Sequence, residues 1–121
     1  MKRLSIGAFL LGSSLVHAHS HEPYEFKKYL TESQFKLTVD VQNHFKNPTC
    51  YDIEVNGSVF LPYRTCLEPS EKRSIAIWLQ SPADVVTKQT VCSIAVSTGS
   101  ISTRMCTKVS TLYAKKYLSH D

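Results

Sequence analysis

The sequence predicts an all-β protein: a single antiparallel β-sandwich of immunoglobulin-like topology, with six to seven strands and two disulfides. Three observations support this prediction. From Gln34 onward, apolar residues recur with a period of two, which is typical of strands with one buried face. Turn signals separate these segments at nearly regular intervals, as in sandwiches of about 100 residues. Four cysteines in a chain of 121 residues can supply the disulfides. A small β-barrel is the alternative architecture.

The N-terminus has the three parts of a secretory signal peptide. Met1-Lys2-Arg3 is a positive start, residues 4–16 carry no charge, and Val16-His17-Ala18 places small residues three and one before a cut. An apolar run of about 13 residues is too short to cross a bilayer as a helix. We therefore predict cleavage after Ala18, with a cut after Ser20 as a second option. The product is expected to be periplasmic or secreted, without an integral membrane segment.

The domain organisation follows from this leader and from the strand pattern. We expect a signal peptide over 1–18, an N-terminal arm over 19–33, the sandwich domain over 34–117 and a C-terminal tail over 118–121. Loss of Lys2 and Arg3 with the leader lowers the formal net charge from +4 to +2. Nucleic-acid binding requires a basic face, so this nearly neutral balance argues against nucleic acid as a partner.

Alternation and turn residues predict the individual strands. Phe35–Val41 alternates, Asn47-Pro48 interrupts the chain, and Tyr51–Val55 alternates again before the hairpin signal Asn56-Gly57. Ile75–Leu79 is apolar on both faces and is expected to be a central strand, with Trp78 facing away from its apolar neighbours. The remaining expectations are strands at Ser58–Leu61, Val91–Ser97 and Ile101–Tyr113, a short strand or loop at Val85–Gln89, and a helix or irregular arm at Tyr24–Leu30.

The cysteine spacing favours disulfides over a metal or redox site. Oxidation is the default in an exported chain, and no interval is the C-x-x-C that zinc ligation or thioredoxin-like chemistry uses. Four cysteines allow three connectivities. Cys92 and Cys106 lie symmetrically about Gly99, in a hairpin pattern that turns at Thr98-Gly99-Ser100. This symmetry favours their pairing.

The second pair is less direct, because the hairpin register does not align its cysteines. Cys50 and Cys66 flank Asn56-Gly57, but an unbroken two-residue turn would place Cys50 opposite Tyr63. Pro62 cannot donate to a ladder and is expected to break the strand, which lets Cys66 return. We therefore predict two disulfides, each closing a loop worth roughly 3 kcal/mol in the chain-entropy model, namely Cys50–Cys66 and Cys92–Cys106.

The sequence after the leader offers no recognisable catalytic constellation. It contains no G-x-S-x-G, no H-E-x-x-H and no Gly-rich phosphate loop. Its four histidines lie mostly near the termini, at His19, His21, His44 and His120. We therefore expect a protein that is not an enzyme.

The new N-terminus after cleavage would begin with His19-Ser20-His21. A free amine, two main-chain amides and an imidazole at position three can enclose Cu(II) in square-planar geometry. Exported copper carriers with an N-terminal histidine are β-sandwiches too, and this leader junction is similar to theirs. A periplasmic copper-binding protein using His19 and His21 is therefore the alternative function. The competing interpretation is that these histidines tolerate a poorly ordered terminus, and His44 is expected to be an ordinary loop residue.

Three patterns carry a family resemblance. They are Val39-x-Val41-x-Asn43 before the Pro48 loop, Tyr51-Asp52-Ile53-Glu54-Val55, and Leu67-Glu68-Pro69-x-Glu71 before the apolar strand. Together they resemble small bacterial periplasmic immunoglobulin-like proteins, namely pilus-chaperone domains and the single-domain accessory proteins of curli assembly. The resemblance implies binding of unfolded or amyloid-prone subunits during export. The chain departs from pilus chaperones in having one domain and no basic cleft between domains, and its paired cysteines match neither group.

Strand edges give this implied role a physical route. An open sandwich leaves N–H and C=O groups unpaired, and these groups can accept a partner strand. The sequence therefore predicts an exported, non-catalytic protein-interaction or chaperone-like module. Its expected partner is another exported protein, such as a subunit of a surface assembly, bound through a strand edge.

Overall fold

The computed structural model describes residues 19–96 and 103–118. The predicted signal peptide, the Thr98-Gly99-Ser100 turn, His120 and the predicted tail beyond Leu118 lie outside the described residues. Within these ranges the elements are β1 (His19–Glu22), β2 (Glu25–Leu30), β3 (Gln34–Asn43), β4 (Thr49–Val55), β5 (Ser58–Val59), a 3₁₀ helix (Leu61–Tyr63), β6 (Thr65–Leu67), β7 (Lys72–Gln80), β8 (Val86–Val96), β9 (Arg104–Tyr113) and α1 (Lys115–Leu118).

These strands form two sheets that pack face to face. Sheet 1 has three strands in the order β1-β3-β7, and sheet 2 has six, in the order β2-β9-β8-β4-β5 with β6 also paired to β4. The predicted immunoglobulin-like sandwich with two disulfides is confirmed. The strands outnumber the predicted six to seven because the N-terminal segment and the β5–β6 region contribute short ones.

The N-terminal segment, expected to be an arm over 19–33, contributes a strand to each sheet. β1 runs antiparallel to β3, and β2 runs parallel to β9. The chain changes sheets at a cis peptide bond between Glu22 and Pro23. The helix considered for Tyr24–Leu30 is wrong because β9 provides a hydrogen-bonding ladder for this segment. In that ladder Phe26 and Leu30 pack against the core while Tyr29 faces solvent.

Alternation along the long strands builds the core, as the sequence predicts. β3 buries every second residue, from Phe35 to Val41, and β7 buries Ile75, Ile77 and Leu79. Sheet 2 covers this surface from the opposite side. Its buried apolar side chains include Tyr51, Ile53, Leu67, Val91, Ala95 and Val109.

The position of β7 differs from the prediction. It lies at an edge of sheet 1, because β3 is its strand partner within the described part of the chain. The apolar stretch suggested a central strand with two covered faces, yet Trp78 remains 56% exposed and Ala76 is exposed beside it. Trp78 does face away from Ile75, Ile77 and Leu79, as expected.

The hairpin after β4 explains how Cys66 returns to Cys50. Asn56 and Gly57 have φ angles of 51° and 89°, the positive values that a type I′ turn requires. Beyond β5 the chain leaves the ladder, and the 3₁₀ helix that contains Pro62 takes up residues that a regular hairpin would have paired. β6 then rejoins β4 with Cys66 directly opposite Cys50.

Both disulfides have the predicted connectivity and link neighbouring strands of sheet 2. Cys50 bonds to Cys66 between β4 and β6, and Cys92 bonds to Cys106 between β8 and β9. The segment Val85–Gln89, expected to be a short strand or loop, mostly continues into β8, which runs unbroken to Val96. Its length gives β8 and β9 a long ladder around the second disulfide.

Candidate functional site

β1 delivers two histidines to the interior of the sandwich. His19 and His21 are two residues apart on a strand, so both side chains project from the same face, toward sheet 2. His19 is fully buried and His21 is 4% exposed. Their positions on β1 pair with Asn43 and Val41 of β3. The two residues therefore belong to the sandwich itself.

Hydroxyl groups from the far side of the sandwich surround both imidazoles. Ser93 Oγ lies between the rings, 3.0 Å from His19 Nε2 and 2.7 Å from His21 Nδ1. Thr103 Oγ1 is 2.7 Å from His19 Nδ1, and Thr107 Oγ1 is 2.8 Å from His21 Nε2. These four contacts tie β1 of sheet 1 to β8, β9 and the residue before β9.

The carbonyl of Pro23 sets the direction of the hydrogen bonds. A carbonyl oxygen can only accept, so the Thr107 hydroxyl donates to Pro23 and accepts from His21 Nε2–H. The Nδ1 atom of the same neutral ring then accepts from the Ser93 hydroxyl. The Ser93 oxygen in turn accepts from His19 Nε2. A second proton on His21 would therefore remove the acceptor that Ser93 uses.

Burial shifts the pKa values of two titratable groups of this region in the direction that favours their uncharged forms. Burial, and to a smaller extent the charge of nearby His19, lowers the pKa of His21 from 6.5 to about 4. Burial also raises the pKa of Tyr51 to about 12. The Tyr51 ring lies 4.7 Å from that of His19, and its hydroxyl donates to Asn43 Oδ1 at 2.8 Å. This polar end of the core is extensively hydrogen-bonded.

The network is built to stabilise the fold rather than to turn over a substrate. Ser93 and Thr107 are fully buried, so a substrate could not reach their hydroxyls. Among the described residues no carboxylate hydrogen-bonds to His21, so it lacks the orienting acid of a Ser-His-Asp triad. The hydrogen-bond network anchors β1, a strand of only four residues, to sheet 2.

In the described structure the predicted copper ligands are engaged in other contacts. Both ring nitrogens of His21 contact hydroxyls, and Ser20 is paired with Gln42 in the β1–β3 ladder. His44 is exposed in the loop after β3 and does not join them. The described residues hold no group of three or more His, Cys, Asp or Glu side chains placed for a metal ion. Copper binding at His19 and His21 stays a prediction, and a Cu(II) titration for a d–d band tests it.

A second feature is the outer edge of β7. In an antiparallel ladder, alternate residues bond to the neighbouring strand and the others point away. Glu71 O, just before β7, accepts from the N–H of Asn43, the last residue of β3, so the main-chain groups of the even-numbered residues of β7 point away from β3. In agreement, Trp78 N–H donates to the Tyr63 hydroxyl at 3.3 Å, and Gln80 O accepts from the Gln89 amide at 3.1 Å. Side chains therefore cap one end of this edge.

The rest of the edge is open. No described residue hydrogen-bonds to the outward main-chain groups of Ser74 or Ala76. β7 contains no proline, and its register with β3 is continuous from Lys72 to Gln80, without a bulge. Natural sheets usually block exposed edges with such devices. Lys72 and Arg73 are the charged residues of this strand, and both lie at its start.

An apolar groove adjoins the capped end of the same edge. It has a volume of about 270 Å³, and its lining includes Val55, Val59, Phe60, Tyr63 and Trp78. Val59 and Phe60 are each 47% exposed, and the Phe60 and Tyr63 rings lie 4.7 Å apart. Exposed apolar side chains gathered in one place mark interaction sites more often than isolated ones do.

Sequence reasoning missed most of this second site. It placed Trp78 on the outward face of its strand, but it assigned that strand to the middle of a sheet. The sequence did contain one signal of an apolar surface site. Four apolar residues surround the strand break at Pro62, in the run Val59-Phe60-Leu61-Pro62-Tyr63. Only the fold shows that this run comes close to β7.

Comparison with solved structures places pilus chaperones among the similar folds. The E. coli chaperone DraB superposes with a TM-score of 0.62 and 15% identity, covering 80% of this chain and 55% of its own. The periplasmic chaperone SfaE gives 0.60 and 9%, covering 78% and 57%. The predicted resemblance to pilus-chaperone domains is confirmed at the level of the fold, and the chain spans about half the length of these chaperones.

The same fold also occurs outside bacteria. A PapD-like domain of human CEP192 superposes with a TM-score of 0.64 at 9% identity, covering 81% of this chain and 86% of that domain. No protein-family model and no curated protein sequence matches the chain. Across residues 19–96 and 103–118, no helix has the length and apolar character needed to cross a membrane. The resemblance to curli accessory proteins stays a prediction.

Proposed function

We propose that this chain is an exported, non-catalytic strand-binding module that holds an extended segment of another exported protein. The observation that carries the proposal is the open edge of β7 beside an apolar groove. Unpaired main-chain groups supply affinity for any extended chain, and adjoining pockets select its alternate side chains. Nothing in this mode of binding requires a catalytic group.

An incoming strand would pair with the outward groups of Ser74 and Ala76, as a fourth strand of sheet 1. Its side chains would alternate between the two faces of the sheet. Where it passes the end of β7, one apolar side chain would enter the groove beside Trp78. The side-chain caps at Trp78 and Gln80 would limit the pairing to the first part of the strand.

The structural neighbours support a chaperone-like role for this binding. DraB, SfaE and YadV are chaperones, and CsuC of Acinetobacter baumannii was solved in a pre-assembly complex with the tip adhesion subunit CsuE. We infer that the partner is likewise a subunit of a surface assembly, held before it is incorporated. Export to the periplasm, by the predicted signal peptide, would bring the two together.

Two substitutions at one position test the proposal. Ala76→Pro removes an outward N–H that sheet 1 does not use and obstructs an incoming strand. Ala76→Val keeps this N–H and is the matched control. The probe is a fluorescently labelled seven-residue peptide of alternating Thr and Val. We expect the wild type and Ala76→Val to bind it with similar affinity, and Ala76→Pro to lose at least about tenfold, a difference of about 1.4 kcal/mol.

The fold of each variant is checked by far-UV circular dichroism and by the presence of both disulfides. Equal binding of the peptide by folded Ala76→Pro would contradict the proposal. Absence of peptide binding to the wild type would contradict it as well. A second variant, Trp78→Ala, leaves the main-chain edge intact and is expected to weaken binding only of peptides with an apolar residue placed to reach the groove.

A further inference from the structure

The outer face of sheet 2 has an ordered pattern of side chains across β2, β9 and β8. Because these strands pair in register, residues line up in rows that cross all three. Successive rows on one face lie two residues apart, about 7 Å along the strands. The rows are Tyr29–Leu112–Val86, then Lys27–Ser110–Lys88, then Glu25–Lys108–Thr90.

The first row is apolar, the second carries two lysines, and the third carries one lysine and one glutamate. Tyr29 is 80% exposed and Val86 is 58% exposed, so the apolar row lies open to solvent. Lys27, Lys88 and Lys108 are all exposed. Lys27 forms an ion pair with Glu25 at 3.7 Å. Three ammonium groups therefore share one carboxylate on this part of the face.

The other half of the same face is balanced. On β4, Asp52 pairs with Arg64 at 2.6 Å and Glu54 pairs with Arg104 at 2.7 Å. Each carboxylate there has its own arginine. The uncompensated positive charge of the outer face is thus confined to the part formed by β2, β9 and β8.

Two adjoining grooves follow the rows. The one over the apolar row, which Lys28 also lines, has a volume of about 450 Å³, and the one over the other two rows about 440 Å³. Both are lined by Lys27 and Ser110, so they are continuous at the middle row. Thr90 adds a hydroxyl beside Lys108. The combined groove runs along the strands from apolar to basic.

We propose that this groove binds an extended acidic polypeptide segment, with an apolar side chain followed by carboxylates at two-residue intervals. In an extended segment, side chains on one face repeat every two residues, about 7 Å, which matches the spacing of the rows. The apolar side chain lies over Tyr29 and Leu112. The carboxylates lie near Lys27 and Lys88, and then near Lys108. This surface is separate from the edge of β7.

The row pattern favours a polypeptide over a uniform polyanion. A polysaccharide or nucleic acid with charge along its whole length would place charge over the apolar row. An amphipathic strand places its apolar side chain there and its carboxylates beside the lysines of the next two rows, where the one carboxylate of the protein, Glu25, is paired with Lys27. Complementary charge would also speed its association and make binding weaken as salt increases.

The test uses two synthetic probes. One is the labelled peptide Ser-Thr-Leu-Thr-Glu-Thr-Glu-Thr-Ser, and the other has Gln at both Glu positions. The variant is Lys88→Glu, and its matched control is Lys46→Glu, the same charge reversal at an exposed lysine that lines neither groove. Circular dichroism and disulfide content verify that each variant is folded.

We expect the wild type and Lys46→Glu to bind the Glu peptide with affinities within about twofold, and Lys88→Glu to lose about fivefold or more. The Gln peptide should bind the wild type more weakly than the Glu peptide. In Ala76→Pro, which targets β7, the preference for the Glu peptide over the Gln peptide should persist, so this inference and the proposed function can fail separately. Equal binding of both peptides, equal binding by Lys88→Glu, or binding only to heparin or to vesicles containing phosphatidylglycerol would overturn the proposal.

Discussion

The two sheets of this sandwich are held together in different ways. Sheet 2 carries both disulfides, an Arg104–Glu54 pair between two of its strands, and a pair between Asp52 of β4 and Arg64, which directly precedes β6. Sheet 1 has three strands and contains no cysteine, and one of its edges is open. Sheet 1 depends on packing against sheet 2 and on the buried histidines of β1.

Sheet 2 is the covalently cross-linked sheet, and sheet 1 is the sheet whose edge is proposed to accept another strand. Covalent bonds within sheet 2 fix the register of β4, β6, β8 and β9 before any partner arrives. In the proposed mode of binding, sheet 1 would add a strand at β7 while the opposite sheet keeps its shape. A preorganised surface of this kind loses less conformational entropy on binding.

The largest expected effect comes from removing the bracing of sheet 2. Replacing both Cys92 and Cys106 with alanine should lower the free energy of unfolding by about 3 kcal/mol, because the disulfide closes a loop of about 15 residues. Urea unfolding monitored by circular dichroism measures this change. A loss below about 1 kcal/mol would show that the stability of sheet 2 does not depend on this bond.

Peptide mapping without reduction checks the disulfide connectivity, and a Cys50–Cys92 peptide would contradict it.

The next effect concerns the attachment of sheet 1 through β1. The pKa of His21 in the folded state, about 4, lies below its ordinary value of 6.5, so the unfolded chain takes up the proton first as the pH falls. The stability that neutral His21 supplies is complete above pH 6.5 and is lost as the pH falls toward 4. Between pH 7.5 and 4.5 we expect this residue to account for about 2 kcal/mol of lost stability.

Two glutamine variants isolate the contribution of His21. His21→Gln should reduce the difference in unfolding free energy between pH 7.5 and 4.5 by about 2 kcal/mol. His44→Gln, at an exposed histidine outside the network, should leave the difference nearly unchanged. If both variants keep the pH dependence of the wild type, the histidine network does not hold β1 in the way described.

The parts of the fold that the sequence predicts well are those fixed by local pattern. Cys92 and Cys106 align because the β8–β9 ladder places them directly opposite each other, and Cys66 reaches Cys50 because Pro62 interrupts the hairpin. The environment of His21 could not be predicted in this way. Its hydroxyl partners lie 72 and 86 residues away in the chain, and only the packing of the two sheets brings them together.

The edge position of β7 was unpredictable for a related reason. Alternating burial reports which face of a strand is covered, but it does not report which strands lie beside it. Ala76 and Trp78 made both faces of the strand apolar, and this composition suggested a central strand. The same two residues now flank the open edge and the apolar groove. The residues that misled the prediction therefore belong to the surface proposed to bind a strand.

The smallest expected effect is on the ion pairs that brace the outer face of sheet 2. Arg104→Gln removes the pair with Glu54, which is 2.7 Å long and half exposed on its arginine side. Because solvent and salt screen such pairs, the free energy of unfolding should fall by about 0.5 kcal/mol. The loss should shrink further in 1 M NaCl, as urea unfolding at two salt concentrations would show. A loss above about 2 kcal/mol would mean that these pairs brace sheet 2 as strongly as a disulfide does.

Amide hydrogen exchange on β7 tests strand addition most directly. Exchange is measured by NMR for the full chain, with and without the alternating Thr and Val peptide at saturating concentration. We predict that the N–H groups of Ser74 and Ala76, which point away from β3, exchange at least about tenfold more slowly when the peptide is bound. Those of Ile75 and Ile77, already bonded within sheet 1, should change little. Unchanged exchange at Ser74 and Ala76, or protection confined to the edge of β2, would contradict binding at β7.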